Sequence, residues 1–141
     1  MSTLLDLEHF KHSIYPEIFR LLALKDVDAV AVTTNILEKW ETDYGLIERS
    51  AENRISVIAA TNPTQDKTSI IVAPDKDFTL WTEWERPFNG SINEPKTTKG
   101  KNSPGTTIAT INPSASNNRI VTLHTNVVEN RPWKLLSPLI Q

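Results

Sequence analysis

The chain has 141 residues, no cysteine and a formal net charge of −2. These features exclude a disulfide framework, a thiolate nucleophile and a cysteine-based zinc site. They suit one soluble domain that buries roughly 70% of its unfolded surface without a covalent staple. A cysteine-free chain fits a reducing compartment, and a cytoplasmic location is expected.

The opening MSTLLDLEHFKHS has no basic stretch followed by a long apolar core, so it reads as lacking a signal peptide. No apolar run approaches the roughly 20 residues needed to cross a bilayer, and no membrane association is expected. Asn89-Gly90-Ser91 matches the glycosylation acceptor pattern but without a secretion signal means only a polar turn.

The first 50 or so residues read as helical. Leu4, Leu7, Phe10, Ile14, Ile18 and Leu21 recur at helical spacing, with Asp6 as an N-cap. Pro16 interrupts the run, giving either one kinked helix or two short ones, the second starting at Pro16. Val30, Thr33, Leu37, Trp40, Tyr44 and Ile47 step by three and four along one face of a second helix. Asn35 and Glu38 have capping-box spacing, and Gly45 is the expected stop. The β-branched stretch Val27–Thr34 keeps a strand open as the alternative there.

From Arg54 the period changes to two. Ile55, Val57 and Ala59 alternate, as do Ile70 and Val72, and the turn-rich Asn62–Lys67 between them makes a hairpin. Phe78–Arg86 reads as the next strand. Phe88–Gly105 reads as a mobile loop, because Ile92 is almost its only apolar anchor. Thr106–Ile111 and Arg119–Val128 read as a further strand pair, and the apolar tail 132–141 as a docking segment.

The expectation is therefore one α+β domain: helices over about 4–50, packed on one face of an antiparallel sheet of about five strands over 55–128. This order of elements resembles the cone-shaped folds of the nuclear-transport-factor-2-like group, in which helices cover a curved sheet. That group hosts enzymes, binding modules and dimerisation domains, so the resemblance implies no single function.

Motifs for chemistry are sparse. Four glycines, none at phosphate-loop spacing, exclude a nucleotide cradle, and no cofactor is expected. His9 and His12 share a helical face, but a metal site needs a third ligand, and a solvated face is the simpler reading. In a continuous strand 119–128, His124 shares a face with Thr122 and Asn126, which would suit a general base inside a cavity or a half-exposed sheet histidine. In the strand Phe78–Arg86, Trp81 stands among Thr79, Glu83 and Glu85, opposite Phe78, Leu80 and Trp84. A tryptophan on a polar face is what interfaces favour. Arg86, Lys96, Lys99, Lys101, Arg119, Arg131 and Lys134 outnumber Glu94 and Glu129 over the same stretch.

The leading expectation is a non-enzymatic interaction or regulatory module. It would bind a protein partner or a second copy of itself through the sheet, with Trp81, Glu83, Arg86 and His124 as candidate binding residues. Nucleic-acid binding through the basic segment 86–134 is the second reading. A small ligand-binding or enzymatic cone with His124 in its cavity is the third.

Overall fold

The computed structural model describes residues 4–7, 15–75, 94–122 and 125–136. Its helices and mixed sheet make an α+β fold. Strand β1 (Leu4–Leu7) leads through helix α1 (Pro16–Leu24) to β2 (Ala29–Thr33). A π-helical turn (Glu41–Gly45) runs directly into α2 (Leu46–Asn53), followed by β3 (Ser56–Ala60), β4 (Ile70–Ala73) and β5 (Lys96–Lys99). These strands lie in sequence order across the main sheet. β1, β2 and β3 are parallel and joined through the helices, whereas β4 and β5 each run antiparallel to the preceding strand.

The sheet is thus mixed, not purely antiparallel as the sequence reading had it. The difference arises at Val27–Thr34. Val30 and Val32 are buried in a strand, the alternative to the favoured helix, and this inserts a parallel βαβ unit among the helices. Leu4–Leu7, also read as helix, is the strand beside it. The order of helices first and strands after, which carried the likeness to cone-shaped folds, therefore does not hold. Pro16 does open a separate helix, with no N–H to waste at that position.

One sheet face is closed. Val30, Val57 and Val72 lie side by side in register, as do Val32, Ala59 and Ile70, and all six are buried in one cluster with Phe19, Leu22, Leu46 and Ile55. On the opposite face Ala31, Ile58 and Ile71 are only half-buried.

Gly45 does not end its helix. It is the junction between the π turn and α2. Nor do Asn35 and Glu38 form the cap: the Glu41 carboxylate accepts from the N–H groups of Leu37 (2.8 Å) and Glu38 (2.9 Å). α1 and α2 are each followed by a non-glycine residue in the left-handed conformation, Asp26 (φ 54°) after α1 and Arg54 (φ 59°) after α2. After α1, Asp26 N–H bonds the Ala23 carbonyl and Val27 N–H the Leu22 carbonyl, with Leu22 and Val27 both in the core. This is a Schellman ending, which closes orphan carbonyls and turns the chain into β2.

Three other strand assignments change. Lys96–Lys99, expected in a mobile loop, is β5 and pairs with Ile70–Ala73. Its lack of apolar residues marks an edge strand, where lysine discourages further pairing. Thr106–Ile111 forms no strand, and Ile108 is 84% exposed; the place beside β4 is already taken by β5. Arg119–Val128 is not one strand: β6 (Ile120–Thr122) folds back on β7 (Thr125–Asn126).

The C-terminal part docks at the amino ends of β2 and β3. A 3₁₀ turn (Pro113–Asn117) brings the Ser116 hydroxyl to Asp28, Arg119 pairs with Asp26, and Arg54 donates to the Ile120 carbonyl. A short final helix, α3 (Trp133–Leu136), leaves the Trp133 ring half-buried against the core, its Nε1 donating to the Val128 carbonyl. The Phe78–Arg86 strand and the end of the tail lie outside the described residues.

Candidate functional site

The surface with the most unspent binding potential starts where β2 ends. Ile36 is buried and anchors the link to the next helix, its N–H donating to the Thr61 hydroxyl. The helical stretch then begins under the Glu41 cap. Its π turn holds one residue more per turn than an α-helix, which rotates the following side chains relative to a regular helix. Leu37 (45% exposed) and Trp40 (52%), which precede this turn, and Tyr44 (73%), within it, stand outward as a ridge. The sequence reading placed these three on one helical face together with Val30. With Val30 in β2, that face does not exist, and the core is completed by Ile36 and Leu46 instead.

Beside the ridge runs a groove lined by Trp40, Tyr44, Ile47, Ala51 and Pro95. Charges rim it unevenly. Asp43 is held by Lys99 (2.5 Å) and more loosely by Lys39 (3.6 Å); the Lys99 hydrogen bond draws its carboxyl below the ordinary carboxylate value. Arg49 is committed to Glu52 (2.8 Å). Glu48 and Glu94, also at the rim, are exposed and have no ion-pair partner among the described residues. An apolar and aromatic groove with two spare carboxylates suits an apolar side chain flanked by basic ones.

A second, shallower mouth lies where the parallel strands β2 and β3 end, at Thr33, Thr34, Asn35, Thr61 and Asn62. Open α/β sheets often bind ligands at this end. Here two of the nearby hydroxyls serve the backbone, Thr61 accepting from Ile36 N–H and Ser69 from Thr61 N–H, and no acid, base or cation lines the mouth.

Of the residues singled out from sequence, Trp81, Glu83, Arg86 and His124 lie outside the described residues, as do His9 and His12. The stretch 119–128 on which His124 was read is not one straight strand, since β6 and β7 are antiparallel to each other. The basic segment is not an open cationic surface throughout. Lys99 is paired with Asp43, Arg119 with Asp26, and Arg131 is bound to main-chain carbonyls. Among the described residues no three potential metal ligands of the His, Cys, Asp or Glu type stand together, and no helix is long and apolar enough to cross a membrane.

No protein-family model matches the chain, and no curated protein matches it.

Proposed function

We propose that this chain is a protein-interaction module, and that its contact surface is the Leu37–Trp40–Tyr44 ridge with the adjoining groove. The observation that carries this reading is Trp40, half-exposed beside Tyr44 on a helical stretch otherwise anchored by buried Ile36, Thr42 and Leu46. Exposed tryptophan and tyrosine on a rigid element are the commonest energetic centres of interfaces. Glu48 and Glu94 select a partner segment that carries an apolar side chain between lysines or arginines. The ridge, rather than the sheet, is the surface in this reading. The β5 edge bears Lys96 and Lys99, which disfavour strand-to-strand association with a second copy. A cytoplasmic setting is part of the proposal, since a chain without cysteine needs no oxidising compartment.

The test is titration with two short peptides, each with a central leucine and tryptophan, one flanked by lysines and one by glutamates. Backbone amide shifts at residues 37–49 are followed, with sedimentation velocity run in parallel. Binding of the lysine peptide alone, weakened by salt and lost in Trp40→Ala, is the expected outcome. Binding of neither peptide by a chain that stays monomeric overturns the proposal. A dimer that Trp40→Ala dissociates keeps the surface but replaces the heterologous partner with a second copy.

A further inference from the structure

A second site lies toward the other end of α2 and shares only Arg49 with the rim of the groove. Arg20 on α1 and Arg49 on α2 both bind one carboxylate, that of Glu52, at 3.1 and 2.8 Å. Arg131 comes in from the C-terminal segment. Its Nη2 donates to the Glu52 main-chain carbonyl (2.7 Å) and to Asn53 Oδ1 (3.3 Å), and its Nε to the Val127 carbonyl (2.5 Å). Three guanidiniums thus meet around a single acid. No other carboxylate among the described residues pairs with any of them.

The carbonyls at the end of α2 offset part of this charge, since a helix C-terminus carries about half a negative charge. More than one positive charge is still left over. The strain is visible at Arg131, whose guanidinium is pushed below its ordinary value first by burial and then by the charge of Arg20, with Glu52 opposing. Two donors at this junction, Arg20 Nε and Arg131 Nη1, are buried without a hydrogen-bond partner among the described residues. A buried N–H left unpaired is costly, and more so on a charged group, so two in one place call for an acceptor. Water would satisfy the donors but not the charge. An oxyanion satisfies both.

We infer that the junction of Arg20, Arg49 and Arg131 is a binding site for a phosphate-class oxyanion, either free phosphate or the phosphoryl group of a small ester. Guanidinium groups match the planar pairs of oxygens such an anion presents. The Arg20 side chain is 34% exposed, so it can swing to admit the anion and close over it. Because Arg131 belongs to the C-terminal segment and Arg20 to α1, the bound anion ties the two together.

The experiment is thermal unfolding of the full chain in rising inorganic phosphate, against chloride at equal ionic strength, with glycerol phosphate as the ester. Nitrogen-15 spectra of the arginine Nε–H groups are recorded alongside. The expected result is a saturating rise in Tm, on the order of 4 °C at ten times the dissociation constant, and a phosphate-dependent shift of the Arg20 Nε–H signal. Arg20→Gln should abolish the saturating rise, while Lys101→Gln, at the opposite end of the strands, should keep it. A stronger effect of the ester would identify it as the source, and an equal effect would identify the free anion. The inference fails if phosphate and chloride act alike at matched ionic strength, or if Arg20→Gln responds as the wild type does. The spectra decide the matter should a variant prove too unstable to melt cleanly.

Discussion

Asp26 and Arg54, the two non-glycine residues described at positive φ, reach adjacent positions of the same distant segment: Asp26 pairs with Arg119 and Arg54 donates to the Ile120 carbonyl. Each ends a helix where glycine would be the unstrained choice. Each instead carries a side chain that holds the C-terminal part against the amino ends of β2 and β3. Backbone strain is accepted at both positions in exchange for a tether.

The two tethers differ in burial, and glycine substitution should separate them. The Asp26 side chain is 84% exposed, so its ion pair is worth about 1 kcal/mol or less, roughly what glycine would recover by relieving the left-handed conformation. Asp26→Gly should unfold within about 0.5 kcal/mol of the wild type. Arg54 is 1% exposed and fills the space beneath β6. Arg54→Gly should lose about 2–4 kcal/mol, because the empty volume and the abandoned Ile120 carbonyl outweigh the backbone gain. Urea denaturation of the two variants measures the contrast; equal losses would show that the tether to Asp26 is as important as the buried one.

β5 gives a proteolytic prediction. Lys96 and Lys99 lie in a strand paired to β4, whereas Lys101 is exposed just beyond it. Trypsin needs a locally extended, unpaired segment. Among these three sites, cleavage should come first after Lys101 and slowest after Lys99, which also holds Asp43. Mass spectrometry of early fragments reads the order, and equal rates at all three would mean that β5 frays freely.

Some of the architecture could be read from residue order and some could not. The β3–β4 hairpin was legible because Ile55–Ala59 and Ile70–Val72 alternate around a polar turn, and α1 because proline favours a helix start. β2 was ambiguous: Val30, Thr33 and Leu37 fit a helical period as well as Val30 and Val32 fit a strand, and only pairing with β1 and β3 decides. β5 was hidden because a single-sided edge strand needs no apolar residue. The ridge was misread for a related reason. Its spacing by threes and fours suggested one helix, but β2 takes up the core space the spacing seemed to claim, and Leu37, Trp40 and Tyr44 are left outside. The arginine junction gave no local signal, since Arg20, Glu52 and Arg131 meet only through the fold.

Asp43 supplies a pH dependence. Its carboxyl titrates below the ordinary value of 3.8, first because Lys99 hydrogen-bonds to it. A depressed acid stabilises the folded state fully above pH 3.8 and loses that contribution as pH falls through the lower folded-state value. In Asp43→Asn this part of the acid transition should vanish, so the difference in stability between variant and wild type should narrow below pH 3.8. Amide exchange of Lys99 and Gly100 should quicken in the variant at neutral pH, since β5 loses its bond to the π turn. An unchanged acid limb and unchanged exchange would leave the Lys99 pair without consequence.

The ridge can be disturbed without changing the Leu37, Trp40 or Tyr44 side chains. Gly45 sits at the junction of the π turn and α2 at φ −57°, an ordinary helical value, so alanine is conformationally welcome there and should stabilise the helix by up to about 1 kcal/mol. A methyl group at Gly45 would, however, lie 3.2 Å from Cζ3 of the Trp40 ring. That is closer than comfortable contact, and Trp40, half-exposed, is free to turn away where a core residue would resist. Gly45→Ala should therefore fold at least as stably as the wild type within about 0.5 kcal/mol, yet shift the fluorescence contributed by Trp40 and weaken binding of the lysine-flanked peptide. Trp40→Ala should itself cost about 1 kcal/mol or less in stability but about 2 kcal/mol or more in binding. Phe19→Ala, at a residue fully buried under the sheet, should show the reverse, with about 3–5 kcal/mol lost from folding. If Gly45→Ala and Trp40→Ala both destabilise as Phe19→Ala does, the Trp40 ring is part of the core in solution and the ridge is not a docking surface.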